Sequence, residues 1–380
     1  MNRYNKTTIA VFIAAIADSG IPFAAATEGE NALHQEILNL KHQVERLEKS
    51  HQAINTSHAA DSSWFNRIGL SGLVEVEAGY NSGPDSNESD ITLATVELGI
   101  DAQVTPWVNT HVLILFEEDG TDPPEIDEGI ITLGKPDASP FSLAVGQIYV
   151  PFGNYESSLV SDPLTLEIGE TRESAVQVGY VSGGLYGSTY LFNGDTNDGS
   201  EQIDQFGFNL GLTKDAKEGG IGYSIGLSWI NSLADSNALQ EAVTDSDNLA
   251  DKVPGFSMHA IIHTGPLTLI GEHLTATESF DATDLAFNGS GAKPAAFNLE
   301  AGYAFALGGK EANFALAWQG TKEAMALELP ETRYLAALSV DTFENTTLAF
   351  EYAHNKDYAA SEGGSEEDAD IFTAQLSVTF

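Results

Sequence analysis

The chain has 380 residues, of which 56 are Asp or Glu and 16 are Lys or Arg, so its formal net charge at pH 7 is −40. So acidic a chain lacks the basic face that neutralises phosphates, which argues against nucleic acid as a partner. The absence of cysteine excludes disulfides and thiolate metal sites, and a hydrophobic content of 42% argues against simple disorder.

Residues 1–26 have the three parts of a secretory signal peptide. Arg3 and Lys6 form a basic start, residues 8–17 an apolar core, and Ala24 to Ala26 a small-residue cleavage site. We expect cleavage after Ala26. A short N-terminal anchor is the alternative, although the apolar core is short for a membrane span.

Residues 27–56 predict a periplasmic coiled-coil helix of about three heptads, and residues 57–66 a polar linker. So short a helix needs a partner, and the same helix of sister chains predicts a homo-oligomer. β-Branched a positions with leucine at d favour dimers, whereas porins of this kind are often trimers, and a trimer is our expectation. The alternative is a helix that packs on its own barrel. The predicted seam consists of Leu33, Ile37, Leu40, Val44 and Leu47.

Residues 67–380 predict an all-β fold, a 16-stranded antiparallel transmembrane β-barrel of the porin type in the outer membrane of a Gram-negative bacterium. Apolar and polar residues alternate with the period of a strand, and tight turns alternate with long connections. A soluble all-β protein is the alternative. The predicted strands are 67–80, 90–104, 109–118, 126–134, 141–150, 174–182, 185–193, 203–213, 221–231, 255–264, 266–276, 295–307, 311–321, 331–342, 346–354 and 370–380.

The last of these strands is predicted to close the barrel. An outer-membrane barrel leaves no free edge in lipid, so its final strand must pair with its first. The polar residues of 370–380 are expected to face water. The residues expected to face lipid are Phe372, Leu376, Val378 and Phe380.

A barrel of sixteen strands is too wide for its own side chains to fill, so it is expected to hold a water-filled channel. The alternation places several charges on the inner face, where a net acidic lining favours cations over anions. The alternative is that each is only a solvated wall residue. The predicted lumen-facing charges are Glu75, Glu77, Glu97, Asp101, Glu300, Arg333, Asp341 and Glu351.

The connection 151–173 is predicted to fold into the channel as a constriction. It combines Arg172 with several acids, and ion pairs of this kind can pin a loop inside a barrel. The constriction is expected to be carried by Glu167, Glu170, Arg172 and Glu173. The alternative is an extracellular lid.

No metal site, cofactor or catalytic function is predicted. The acidic loops 241–251 and 362–370 offer carboxylates that could hold Ca²⁺ or Mg²⁺, but without a recognisable ligand spacing they are interpreted as solvated charge runs. His259 and His263 are about 13 Å apart along a strand, too far to chelate one ion. No serine–histidine–aspartate or paired-acid motif stands out.

The whole organisation resembles the LbtU-type (legiobactin receptor) siderophore porins of Legionella-related bacteria. The stretches that carry the resemblance are Y-V-P-F-G at Tyr149 to Gly153 and D-P-L followed by G-E-T-R-E-S between Asp162 and Ser174. The resemblance implies passage of a ferric siderophore without a TonB-type plug. The acidic lumen itself favours neutral or cationic cargo.

The predicted function is therefore an outer-membrane porin for a ferric siderophore or a similar small hydrophilic solute. The alternatives are a general cation-preferring diffusion porin and a structural or adhesive barrel. The expected partners are outer-membrane lipid, the barrel-assembly machinery, the solute and sister chains.

Overall fold

The computed structural model describes residues 67–83, 87–118, 120–121, 123–199, 202–216 and 220–380. The predicted signal peptide, coiled coil and linker lie outside the described residues. No helix in the described part of the chain is long and apolar enough to cross a membrane.

Sixteen strands form one closed antiparallel barrel, which confirms the predicted fold class and strand number. Two further short strands, β12 (Ala286–Phe287) and β13 (Ser290–Gly291), form a hairpin in the loop between β11 and β14. The barrel strands are β1 (Ile68–Ser82), β2 (Asn87–Thr105), β3 (Val108–Phe116), β4 (Glu125–Gly134), β5 (Phe141–Tyr149), β6 (Arg172–Ser182), β7 (Leu185–Phe192), β8 (Gln205–Lys214), β9 (Ile221–Ile230), β10 (Gly255–Thr264), β11 (Leu267–Ala276), β14 (Ala295–Leu307), β15 (Lys310–Lys322), β16 (Thr332–Phe343), β17 (Thr346–Lys356) and β18 (Asp368–Thr379).

The circle closes where β18 pairs with β1, in a register that runs from Leu73 opposite Thr379 to Ser82 opposite Asp370. Phe372, Leu376 and Phe380 point outward, with 50%, 46% and 69% of their surface exposed. Gln375 points inward and donates a hydrogen bond to Glu77, 3.0 Å away. The alternation of the last strand therefore becomes an apolar outer face and a polar inner face.

A β-bulge interrupts β4 and explains its irregular sequence. The pairing with β3 slips by one residue between Leu113 and Ile114, and both Asp127 and Glu128 are buried while Ile126 and Ile131 are exposed. An extra residue of this kind breaks the period of two. Two consecutive acids thus lie on the inner face, which alternation alone does not predict.

The start of β6 differs from the prediction. The strand begins at Arg172, which pairs with Tyr149 of β5, two residues before the predicted start. Arg172 and Glu173 therefore belong to the barrel wall, and the connection between β5 and β6 covers residues 150–171, which we call the inner loop.

One side of the barrel interior is filled with apolar side chains, which we call the inner core. They come from the inner faces of β4 to β7, β9, β11 and β14 and from the connections after β5, β9, β11 and β15. Two short helices, α1 (Leu164–Gly169) and α2 (Asn237–Ala242), lie within it. Its fully buried members include Ile148, Phe152, Leu164, Ile168, Tyr190, Leu233, Leu239 and Leu274.

The closing seam has a specific contact at its end. The backbone of Phe380 exchanges hydrogen bonds of 2.9 and 3.0 Å with Gly72 of β1, and its ring covers the place that a Cβ at Gly72 would occupy. The terminal aromatic side chain therefore packs over a glycine on the neighbouring strand.

We expect Phe380→Ser to lower the amount of folded, heat-modifiable barrel in the outer membrane, because the seam loses this packing. The assembled fraction should keep its single-channel conductance, since Phe380 faces outward. Phe343→Ser is the matched control, because Phe343 is also an exposed aromatic at a strand end. Normal surface levels of the Phe380 variant would contradict a closing role.

Candidate functional site: the inner loop and the acidic wall

The inner loop lies inside the barrel rather than over its mouth. It leaves β5, crosses the interior and contacts inward side chains of β11, β14, β15 and β17 before it returns to β6. The loop is therefore fixed to the wall opposite its own strands, and its position narrows the interior.

Three wall carboxylates, which we call the tether carboxylates, hold the outgoing half of the loop. Glu272 accepts hydrogen bonds from the backbone N–H of Asn154 and Tyr155, at 2.7 and 3.2 Å. Glu300 accepts from Ser158 N at 2.7 Å and from Ser157 Oγ at 2.8 Å. Glu351 accepts from Val160 N at 2.7 Å and from Ser161 N and Oγ.

The tethers repeat every three residues along the loop, and each carboxylate accepts hydrogen bonds from two consecutive loop residues. Tyr155 has a φ of +55°, and consecutive N–H groups in such a turn form a concavity for an anion. Hydrogen bonds to a charged acceptor are worth about 1.5–3 kcal/mol each. Their sum makes the three carboxylates the main polar attachment of the loop.

The returning half of the loop is attached by apolar burial. Helix α1 contacts β11, β14 and β15, and Leu164 and Ile168 are fully buried. Burial of each such side chain contributes about 1.5–3 kcal/mol. Thr165 Oγ1 adds a hydrogen bond to Glu272 at 2.9 Å, so one carboxylate contacts both halves of the loop.

Arg172 secures the base of the loop. Its Nη1 lies 2.7 Å from Glu125 and 2.6 Å from Asp127 on β4, and the hydroxyl of Tyr149 also donates to Asp127. Arg172 thus binds two wall acids on its own side of the barrel and does not span the channel. Arg172 was predicted to pin the loop through ion pairs, and the acids that it binds lie on β4.

The predicted constriction acids have separate surroundings. Glu167 is half-buried on α1, and burial raises its pKa to about 7, although the charge of Arg333 opposes the shift. Glu170 is buried and bonds to Asn237 Nδ2 at 2.9 Å; burial raises its pKa, and the hydrogen bond with Asn237 partly offsets this. The loop therefore carries less negative charge near neutral pH than its composition suggests.

An acidic wall faces the interior from β1, β2 and β4. Glu97 lies close to Glu75 and Glu128, and His111 on β3 bridges Asp101 and Glu128 at 2.9 and 3.3 Å. Carboxylates grouped in this way give the lumen a negative potential unless cations compensate for their charge. The acidic wall consists of Glu75, Glu77, Glu97, Asp101, Asp127 and Glu128.

The remaining predicted lumen charges are also on inner faces. Arg333 is buried, and its Nε donates to Asn355 at 3.0 Å. Asp341 accepts from Thr347 at 2.9 Å. Glu300 and Glu351, predicted as lining residues, serve as tethers.

Sequence reasoning missed Glu272, Asp127, Glu128 and His111. Glu272 shares the inward parity of Thr268 and Leu274, so alternation could have found it. The bulge hides the two acids of β4, and no sequence signal reveals the bulge.

The structure also offers no histidine pair as a metal site among the residues it describes. His259 contacts the hydroxyl of Tyr186 at 3.2 Å. Within the described residues, no three His, Asp or Glu side chains converge as a metal site.

No family model matches the chain. It is 31% identical over 307 residues to a UPF0422 protein of Coxiella burnetii (strain RSA 493 / Nine Mile phase I), covering 77% of this chain and 65% of that protein. It is 30% identical over 359 residues to UPF0422 protein lpl2888 of Legionella pneumophila (strain Lens), covering 82% and 66%. The chain thus spans just under two thirds of the length of these relatives.

Solved porins share the fold. An anion-selective porin from Comamonas acidovorans matches with a TM-score of 0.59 at 13% identity, over 82% of this chain and 99% of that chain. The trimer form of OmpT, an outer-membrane protein of Vibrio cholerae, matches with a TM-score of 0.51 at 10% identity, over 83% and 100%. The chain is therefore similar in sequence to the UPF0422 proteins of Coxiella burnetii and Legionella pneumophila, and it is folded as a porin-like closed barrel.

Proposed function

We propose that this protein is a diffusion channel that prefers small neutral or cationic hydrophilic solutes, with the inner loop as its constriction. A porin-like barrel of the outer membrane indicates a solute channel. The single observation that carries the preference is the acidic wall, whose six carboxylates face the interior.

The path of the solute follows from what fills the barrel. The inner core occupies the side formed by β4 to β14, and the inner loop is fixed to β11, β14 and β17. We therefore place the path along β1 to β3 and β18, which contribute neither a side chain to the inner core nor a tether carboxylate.

Charges on both sides of this path support the preference. The acidic wall concentrates cations by its summed field, and His111 and Arg172 offset only part of its charge. On the loop side, Glu167 lies near Arg333. We propose that these two residues, with Glu170 and Glu173 behind them, shape the narrowest part of the channel.

We expect the double variant Glu300→Gln, Glu351→Gln to conduct more and to fluctuate more in single-channel recordings. Each substitution turns one carboxylate oxygen into a donor that faces backbone N–H groups, so the loop loses charged hydrogen bonds worth about 1.5–3 kcal/mol each. The measurement is conductance and open-channel noise in planar bilayers.

The control for this variant is Asp341→Asn, which removes an inward carboxylate that contacts Thr347 and not the loop. Its conductance noise should equal that of the unmodified protein. If the double variant and the control behave alike, the loop does not depend on the tethers.

We expect a cation-selective reversal potential in a KCl gradient, and a smaller one for Glu75→Gln with Glu97→Gln. A charge in water acts on a monovalent ion 8 Å away with about 0.5 kcal/mol, so the K⁺/Cl⁻ permeability ratio should fall severalfold at low salt. The difference should shrink in 1 M KCl, where the Debye length is about 3 Å.

Asp247→Asn, on an exposed loop, is the control and should leave the reversal potential unchanged. Anion selectivity in the unmodified protein would overturn the proposal. A folded barrel without conductance would instead favour the structural or adhesive role.

We propose a ferric siderophore as the cargo, of neutral or cationic type. Both stretches that resemble the siderophore porins involve the inner loop: Tyr149 to Gly153 includes its start, and Asp162 to Ser174 contains its return with α1. The loop is the part of the molecule best placed to select a solute. A polycarboxylate siderophore would meet an unfavourable field at the acidic wall.

A deletion strain should therefore grow more slowly than its parent when a ferric siderophore is the sole iron source. Inorganic iron should restore growth, because the defect lies in uptake of the complex. Complementation with the Glu300→Gln, Glu351→Gln variant tests whether the loop selects the cargo. Equal growth of deletion and parent strains on neutral, cationic and polycarboxylate siderophores would remove the siderophore from the proposal and leave the general diffusion channel.

We further propose that the protein assembles as a homo-oligomer of three chains through the helix predicted at 27–56. The support is the heptad pattern of that segment and the trimeric form of a porin with the same fold.

A further inference from the structure

Three acidic residues meet near one rim of the barrel, where β6 and the connections 193–204 and 231–254 come together. Glu173 is the second residue of β6, Asp195 lies in the first connection, and Asp235 lies in the second. The charges of Asp195 and Asp235 act on Glu173, and the charge of Asp195 acts on Asp235, so the three side chains lie near one another although 62 residues separate the first from the last.

Asp235 is the most enclosed of the three, with 1% of its surface exposed. Its Oδ1 accepts hydrogen bonds from Thr196 N at 2.9 Å and Thr196 Oγ1 at 2.8 Å. A Cβ at Gly194 would overlap this oxygen, so the glycine allows the close approach. Its Oδ2 is buried and has no hydrogen-bond partner among the described residues.

Glu173 has the same property. It is 5% exposed, the backbone of Asp195 donates to its carboxylate, and its Oε1 is buried without a hydrogen-bond partner in the described part of the chain. The charge of Arg172 reaches Glu173, but the guanidinium binds Glu125 and Asp127.

Neutral polar side chains lie near Asp235. Ser232 Oγ lies beside the carboxylate of Asp235, Ser236 is the next residue in the chain, and Gln205 reaches the carbonyl of Thr196 through its Nε2 at 3.3 Å. Ser236 Oγ and Gln205 Oε1 are both buried, and neither has a hydrogen-bond partner within the residues described.

Two carboxylate oxygens and one amide oxygen are buried near this rim without a donor, and such a group favours a positive charge. A buried carboxylate is costly unless it is paired or binds a metal, and buried polar atoms are normally satisfied. The donor set contains oxygen only, which suits Ca²⁺ or Mg²⁺ and not the transition metals that prefer nitrogen or sulfur. Ca²⁺ fits better, since it accepts mixed carboxylate, amide and hydroxyl oxygens in irregular geometry, whereas Mg²⁺ demands an octahedron.

We propose that Glu173 and Asp235 bind one calcium ion at the rim of the barrel, with Ser232, Ser236 and Gln205 as neutral ligands. Only two of the proposed calcium ligands are carboxylates. Water or backbone carbonyls complete the six to eight oxygens that calcium takes.

The site connects to the inner loop through α2. Asn237, two residues after Asp235, donates from its backbone to the carbonyl of Glu170 at 2.8 Å and from Nδ2 to the side chain of Glu170. Its Oδ1 accepts from Arg172 N at 3.1 Å. A calcium ion at Asp235 thus fixes the residue that holds the base of the constriction.

Calorimetric titration of the detergent-solubilised barrel, first stripped with EDTA and then supplied with CaCl₂, tests the site. We expect one saturable event per chain. Glu173→Gln and Asp235→Asn should each weaken it at least about tenfold, the scale seen when groups around a metal are lost. Asp247→Asn, an exposed carboxylate of the same connection, should bind as the unmodified protein does.

Cleavage by trypsin provides a second readout of calcium binding. Lys252 is the one Lys or Arg in the connection 231–254, and its ammonium lies 2.6 Å from Asp204. Calcium should slow cleavage after Lys252 severalfold relative to EDTA in the unmodified protein and in Asp247→Asn, and should have no effect in Asp235→Asn.

Absence of saturable binding in the unmodified protein would overturn the proposal, as would equal affinity in all three variants. Both outcomes are independent of the channel function, because titration and cleavage measure neither conductance nor selectivity. If protonation rather than calcium satisfies the carboxylates, lowering the pH will protect Lys252 and calcium will not.

Discussion

The structure depends on hydrogen bonds between backbone N–H groups of the inner loop and carboxylates of the opposite wall. A loop inside a wide barrel has unpaired backbone donors, and these must find acceptors. Glu272, Glu300 and Glu351 supply the acceptors on three strands that are remote in sequence. Because the charge of these carboxylates strengthens each hydrogen bond, the bonds hold the loop in the interior.

The same residue type therefore serves different purposes at different places. Carboxylates that meet loop N–H groups act as tethers, while those of β1, β2 and β4 give the interior its negative field. At the rim, Glu173 and Asp235 retain oxygens without partners, which is why we assign them a cation. The carboxylates have different roles at different places, and the net charge of the chain alone does not distinguish these roles.

Prediction from sequence succeeded where one physical rule acts along the chain. Most of the sixteen barrel strands show clear alternation, because lipid and water on opposite faces impose a period of two. It failed at the bulge of β4, where one extra residue turns both Asp127 and Glu128 inward. It also did not identify the partners of Arg172, because Glu125 and Asp127 are more than forty residues away in the chain.

The sequence by itself determined the strands, their number and the acidity of their inner faces, since each follows from residues close together in the chain. Only the tertiary structure decided which acids hold the inner loop, that α1 joins the inner core, and that Glu173 meets Asp235. These contacts join segments brought together by barrel closure. The period of a strand states which face a side chain takes, but not which residue lies across the interior.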